Sequence, residues 1–193
     1  MDLIDDDVLA AFGLPVEAPE APREPAPIAE YTGALRGEMR DPETVRRYIL
    51  GGHGTFTARS LRTGSRLTFR LSRPRHSDAG DARIYVRVLT GPENTADYTW
   101  LGTFRTADRD WRGRTYAAGW THSRKSDIGE SAPSARTVAW LLPRVLRGGR
   151  HLDAVMEQTE FWHEGRCGAC GRKLTVPESI KSGIGPVCAG RAA

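Results

Sequence analysis

At 193 residues, with 39% hydrophobic and 27% charged side chains, the chain has enough apolar content for one compact domain and a small appendage. No apolar run approaches the roughly 20 residues that span a bilayer, and the opening Met1-Asp2-Leu3-Ile4-Asp5-Asp6-Asp7 has neither the basic flank nor the hydrophobic stretch of a secretion signal. The expectation is a cytoplasmic protein with no membrane partner, and the net charge of +4 conceals a segregation that bears on what else it meets.

Residues 1–30 carry eight acids against the single base Arg23, a balance of −7, while the remainder carries 27 bases against 16 acids, a balance of +11. A basic body suits a polyanionic partner, and the acidic arm can compete for the same surface or dock on a host or phage protein. A GC-rich coding sequence gives a similar composition, since Arg outnumbers Lys 25 to 3. Within the arm, Val8, Leu9 and Phe12 follow Asp5-Asp6-Asp7 at helical spacing, and five of the twelve prolines then fall between Pro15 and Pro27. Residues 1–40 therefore read as a disordered acidic and proline-rich arm.

Order is expected to begin at Asp41-Pro42-Glu43, which supplies an N-cap, a proline for the first turn and an acid near the helix N-terminus. Val45, Tyr48 and Ile49 share one face of this helix, and Gly51-Gly52 ends it. Strand patterns follow over 55–59, 66–71, 83–89 and 98–104, with a weaker fifth over 114–121, and the short turn-rich separators favour antiparallel pairing. A second helix opens at Pro133, with Val138, Leu141, Leu142, Val145 and Leu146 forming an apolar stripe. Pro143 should kink it or end it early. Residues 155–162 are expected to run extended into the C-terminal segment. The fold class is α+β: residues 41–150 form a small antiparallel sheet covered on one face by a helix, and residues 151–193 form a treble-clef-like or zinc-ribbon-like module.

Alternation on two strands gives a functional signal. Leu67, Phe69 and Leu71 point one way and Arg66, Thr68 and Arg70 the other; Ile84, Val86 and Val88 oppose Arg83, Tyr85 and Arg87. If these strands pair, one sheet face gathers Arg66, Arg70, Arg83 and Arg87 around Tyr85, with Arg59, Arg73 and Arg75 near its edges. Phosphate contacts joined to base stacking are the two components of sequence-tolerant single-strand binding. Any half-buried antiparallel sheet also shows polar-out alternation, so the pattern is compatible with an ordinary solvent-facing surface.

The C-terminal segment concentrates every cysteine in His163-x3-Cys167-x2-Cys170-x17-Cys188. Cys167-Gly-Ala-Cys170-Gly reads as a knuckle, two thiolates separated by two residues on a tight turn. Three cysteines without a secretion signal argue against a disulfide framework, and a structural Zn²⁺ needs a fourth ligand. His163 is the nearest candidate, while His53, His76, His122 and His151 are alternatives. A module of about 30 residues buries too little apolar surface to fold unaided, so zinc would supply its stability.

Gly165-Arg166-Cys167, Cys170-Gly171-Arg172, Leu174-Thr175, Pro177-Glu178-Ser179-Ile180 and Gly183-Ile184-Gly185-Pro186-Val187-Cys188 resemble the signature of an uncharacterised domain-of-unknown-function family of phage, plasmid and actinobacterial proteins. The resemblance implies zinc binding by Cys167, Cys170 and Cys188 with His163, in a phage or mobile-element protein, and implies no activity.

The chain lacks the His-x-Glu and Pro-Cys-x-x-Cys of zinc deaminases, and Gly51-Gly52-His53-Gly54-Thr55 has neither the lysine nor the spacing of a phosphate-binding loop. The expected function is a nonenzymatic, zinc-containing nucleic-acid-binding accessory protein. Arg172 and Lys173 on the knuckle, with Arg166, Lys181 and Arg191 nearby, would extend the footprint on DNA or RNA. The alternative is a protein-interaction module that binds or inhibits a host protein through Trp100, Trp111, Trp120 or Trp162.

Overall fold

Asp41 caps the first helix as its neighbours suggest. Its carboxylate accepts from the Thr44 N–H at 2.7 Å, Pro42 occupies the first turn, and α1 runs Pro42–Gly51. Gly52 takes φ 76° to close it, and Arg73 donates to the Leu50 and Gly51 carbonyls at 2.9 and 3.2 Å. Those carbonyls have no partner within the helix, so Arg73 belongs to this cap rather than to the sheet face. The computed structural model describes residues 37–74, 83–107, 114–115 and 117–190. The chain divides into two units, Met1–Gly33 and Ala34–Ala193, and every described residue belongs to the second. The expectations for the acidic arm up to residue 36 and for Arg75, His76, Trp111 and Arg191 fall outside the described residues.

Six strands form one antiparallel sheet: β1 (Thr55–Ser60), β2 (Arg66–Ser72), β3 (Arg83–Leu89), β4 (Tyr98–Arg105), β5 (Gly119–His122) and β6 (Thr159–His163). Their order is β5-β4-β3-β2-β1-β6, so consecutive strands are neighbours from β1 to β5, and β6 returns to the free edge of β1. The first four strands match the sequence pattern to within a residue at either end, while β5 is shorter than expected. On the far side of β6, Glu38 bridges Trp162, and Met39 donates its N–H to the Phe161 carbonyl at 2.9 Å. Met39 is 1% exposed, so the packed chain begins a few residues before Asp41, drawn in by an apolar side chain that the arm's composition masks.

One face of the sheet supplies Phe56, Phe69, Leu71, Ile84, Val86, Val88, Leu101, Phe104 and Phe161 to the core. Three of the described helices cover it, rather than one. Tyr48 and Ile49 come from α1, Leu141 and Leu142 from α2 (Pro133–Arg147), and Leu152 and Val155 from α3 (Arg150–Met156). Pro143 does not end α2, which continues to Arg147. A proline inside a helix costs about 3 kcal/mol. Leu142 and Val145, on either side of it, are both fully buried, and burying such side chains contributes about 1.5–3 kcal/mol each. Residues 155 and 156 are helical rather than extended, because Leu152 and Val155, three apart, both reach the core. Residues 151–163 thus contribute a helix and an edge strand to the main unit, and the chain enters the cysteine-bearing segment directly from β6. No described helix is long and apolar enough to cross a membrane.

Candidate metal centre and the arginine-rich sheet face

The knuckle is a small hairpin. Arg166 and Lys173 form an antiparallel bridge, the Cys167 N–H donates to the Arg172 carbonyl at 2.8 Å, and the Gly171 N–H donates to the Cys167 carbonyl at 2.8 Å. The chain then makes α4 (Pro177–Ser182), turns through Gly183, and enters α5 (Pro186–Ala189), which carries Cys188. A third sulfur presented by a helix after a knuckle is treble-clef-like, whereas a ribbon would present it from a second knuckle. The three Sγ atoms lie within 4.8 Å of one another, and among the described residues no histidine nitrogen or carboxylate oxygen joins them within that distance. These cysteines can hold a metal ion.

The Cys167 and Cys188 thiols differ in how readily they ionise. Burial alone would push the Cys167 thiol up, but the N–H groups of Gly185, Ala169 and Cys170 donate to its sulfur and prevail, so its pKa lies below the ordinary thiol value. The Gly185 nitrogen is 3.3 Å from that sulfur. Cys188 is pushed up to about 11, by burial first and then by the adjacent Cys170 and Cys167. Three thiols this close cannot all ionise without a cation among them.

His163 is placed elsewhere. Its Nδ1 accepts from the Gly165 N–H at 3.0 Å, which requires the proton to sit on Nε2, and Nε2 donates to the Ile180 carbonyl at 2.7 Å. Both ring nitrogens are therefore engaged by backbone, and the imidazole joins β6 to α4. This departs from the expectation that His163 completes the ligand set: β6 belongs to the sheet, and pairing with β1 and with Gly37 turns His163 toward the core side. Its pKa is lowered by burial, against the opposing effect of the Ile180 carbonyl.

The sheet's opposite face carries the other predicted residues. Arg70 lies directly across from Arg87, Arg59 across from Arg66, and Arg83 across from Arg105. The first five of these, with Tyr85, share the non-core face as the alternation requires, and Arg105 joins them through register. Sequence reasoning did not place Tyr98, Trp100 and Trp162 on this face, which presents them as well. Tyr98 and Trp100 precede a register shift at Val86/Arg87 that obscures the alternation of β4, and Trp162 arrives only because β6 pairs with β1. Trp120, by contrast, packs against the core.

Several of these groups are already positioned. The Arg70 guanidinium stacks 3.6 Å over the Tyr98 ring and donates to the Asn94 and Thr95 carbonyls at 3.0 and 3.1 Å. Arg87 lies 5.9 Å from the Trp100 ring, and Tyr85 meets the same ring edge-on at 5.3 Å. Arg59 pairs with Glu160 at 3.1 Å. Arg66, Arg172 and Lys173 are exposed.

Residues 158–193 match DUF6011, a family of unknown function. The match covers β6, the knuckle and the helix-borne cysteine. No curated protein and no solved structure matches the chain.

Proposed function

We propose that the chain is a nonenzymatic nucleic-acid-binding accessory protein of phage or mobile-element type, in which a structural zinc ion fixes the C-terminal module against a basic sheet. The three directly opposed arginine pairs on one sheet face carry this reading. Like charges opposite one another on neighbouring strands destabilise a sheet by a few tenths of a kcal/mol to about 1 kcal/mol per pair. A face that repeats the arrangement three times holds a density of guanidinium suited to a polyanion. The match to a family of unknown function is compatible with it and assigns no activity.

Zinc fits the three sulfurs, which would fill three of its four tetrahedral positions. A tetrahedral ion with Zn–S bonds of about 2.3 Å needs sulfurs about 3.8 Å apart, in keeping with three thiols that lie within 4.8 Å of one another. Cys167, Cys170 and Cys188 would hold it, and the ion would supply the mutual neutralisation that three adjacent thiolates require. Arg172 and Lys173, exposed on the same knuckle, would add phosphate contacts. Clustered thiols stay reduced in the cytoplasm, the compartment that this reading assigns.

Binding of fluorescent DNA and RNA by the zinc-loaded protein, followed by anisotropy across a salt series, tests the reading. Affinity should fall linearly on a log–log plot with salt. The double variant Arg66→Ala/Arg87→Ala should flatten the slope by about 0.7–0.9 for each phosphate that the protein no longer neutralises, with circular dichroism and metal content unchanged. Absence of binding at low salt, or binding indifferent to both substitutions, would exclude it.

A further inference from the structure

We infer that the ligand of this face is a single strand whose unpaired bases stack on Trp162, Trp100 and Tyr85, an inference that rests on the nucleic-acid reading above. Width decides against a duplex. Neighbouring strands are about 4.8 Å apart, so the four intervals from β6, which carries Trp162, to β4, which carries Trp100, span about 19 Å. The major groove of B-DNA is about 12 Å wide and the minor groove about 6 Å. The sheet therefore cannot enter either groove, and a duplex resting on its arginines would keep its bases stacked out of reach of rings at both ends. An unpaired strand brings its bases to the protein instead.

The rings are suited to that contact. Tyr98 is already covered by Arg70, but Trp100, Tyr85 and Trp162 are each half-buried, and none of them belongs to the apolar cluster that the described helices cover. Tyr85 and Trp100 hold each other at 65°, and Trp162 is fixed by pairing with Thr57 on one side and Glu38 on the other. Rigid rings lose little freedom on binding. Arginines interleaved with them, Arg66 and Arg87 among them, meet phosphates between successive bases, the combination used by sequence-tolerant single-strand binders.

The full-length zinc-loaded protein would be titrated with four labelled ligands of equal length: oligo-dT, oligo-U, a DNA duplex, and an abasic strand that keeps the phosphates and lacks bases. The expected result is at least about tenfold tighter binding of both base-bearing single strands than of duplex or abasic strand, with quenching of tryptophan fluorescence. Trp100→Ala and Trp162→Ala should each weaken oligo-dT binding by about five- to 150-fold while leaving zinc content intact. Duplex or abasic strand binding as tightly as oligo-dT, or no tryptophan quenching, would overturn the single-strand inference while leaving the basic face as a phosphate surface. If none of the four binds, both readings fall. The wild-type quenching and abasic comparison decide the matter even if a tryptophan variant fails to fold.

Discussion

The Tyr48 ring stacks on the His163 imidazole with centroids 5.3 Å apart and planes at 28°. The Tyr48 hydroxyl sits between the carbonyls of Thr55 and Arg166, at 3.0 and 3.1 Å, one on the sheet and the other on the knuckle. A single side chain from α1 thus ties the cysteine-bearing module to the main body. Burial raises the pKa of this phenol, so it remains a donor throughout the neutral range. Tyr48→Phe should lower stability by about 1–2 kcal/mol by removing the hydroxyl that lies between these two carbonyls, and Tyr48→Ala by about 3–5 kcal/mol, as measured by urea unfolding.

His163 separates a packing role from a ligating one. His163→Gln should keep one zinc per chain, while Cys167→Ser, Cys170→Ser and Cys188→Ser should each release it to a colorimetric chelator. The glutamine variant should still lose about 1–3 kcal/mol of stability, because the Gly165 N–H and the Ile180 carbonyl lose a partner of fixed geometry. Zinc loss in His163→Gln comparable to that in the cysteine variants would restore the imidazole to the ligand set.

Burial holds the folded-state pKa of His163 below its ordinary value of about 6.5. Between the two values the unfolded chain binds more protons, so stability rises with pH there. The contribution is complete above about pH 6.5 and is lost as pH falls through the folded value. His53, whose pKa is lowered by burial and then by Arg73, acts with the same sign. Urea midpoints measured from pH 7.5 down to 5.5 should decline, less steeply in His163→Gln than in the wild type. Equal slopes would show that His163 does not contribute.

Gly168 marks where α1 and the knuckle meet. A Cβ added there would lie 2.6 Å from the Tyr48 carbonyl oxygen, which is backbone and cannot rotate away. The Gly168 carbonyl also accepts from the His53 N–H at 2.8 Å, so the turn cannot shift without breaking that bond. Gly168→Ala should cost more than about 2 kcal/mol and loosen zinc, whereas Gly129→Ala, which meets only the Ser131 hydroxyl at 4.0 Å, should be close to neutral. Thermal melts of the two variants provide the comparison.

Chelation should act locally. The main core draws on the sheet and α1 to α3, and the module's own cluster is only Cys167, Leu174 and Ile184 with a few partly buried neighbours. Removing zinc should therefore leave most of the far-ultraviolet dichroism while exposing the bonds after Arg166, Arg172, Lys173 and Lys181 to trypsin. Cooperative loss of the whole fold on chelation would contradict this division.

The elements with strong local signals were legible. Asp41-Pro42 marked α1, the alternation of β2 and β3 placed Arg66, Arg70, Arg83, Tyr85 and Arg87 on one face, and the cysteine spacing located the cysteine cluster. Pro143 misled because packing on both sides of it outweighs one missing hydrogen bond, and α3 was missed because its seven residues carry too short a stripe to register as helical. The place of Trp162 on the sheet lay unread because its strand follows α2 and α3, and nothing local reports which edge it will join.

The sequence alone determined composition-level and period-level properties: an α+β chain, an apolar and a basic side to its strands, and three thiols spaced to converge. These depend on residues a few positions apart, where backbone geometry fixes direction. Tertiary structure decided that β6 returns to β1, that His163 consequently faces Tyr48 and Ile180 rather than the sulfurs, and that two tryptophans join the arginines. Those outcomes turn on contacts between residues as far apart as Tyr48 and Arg166, where burial and hydrogen bonding across the fold outweigh any local preference.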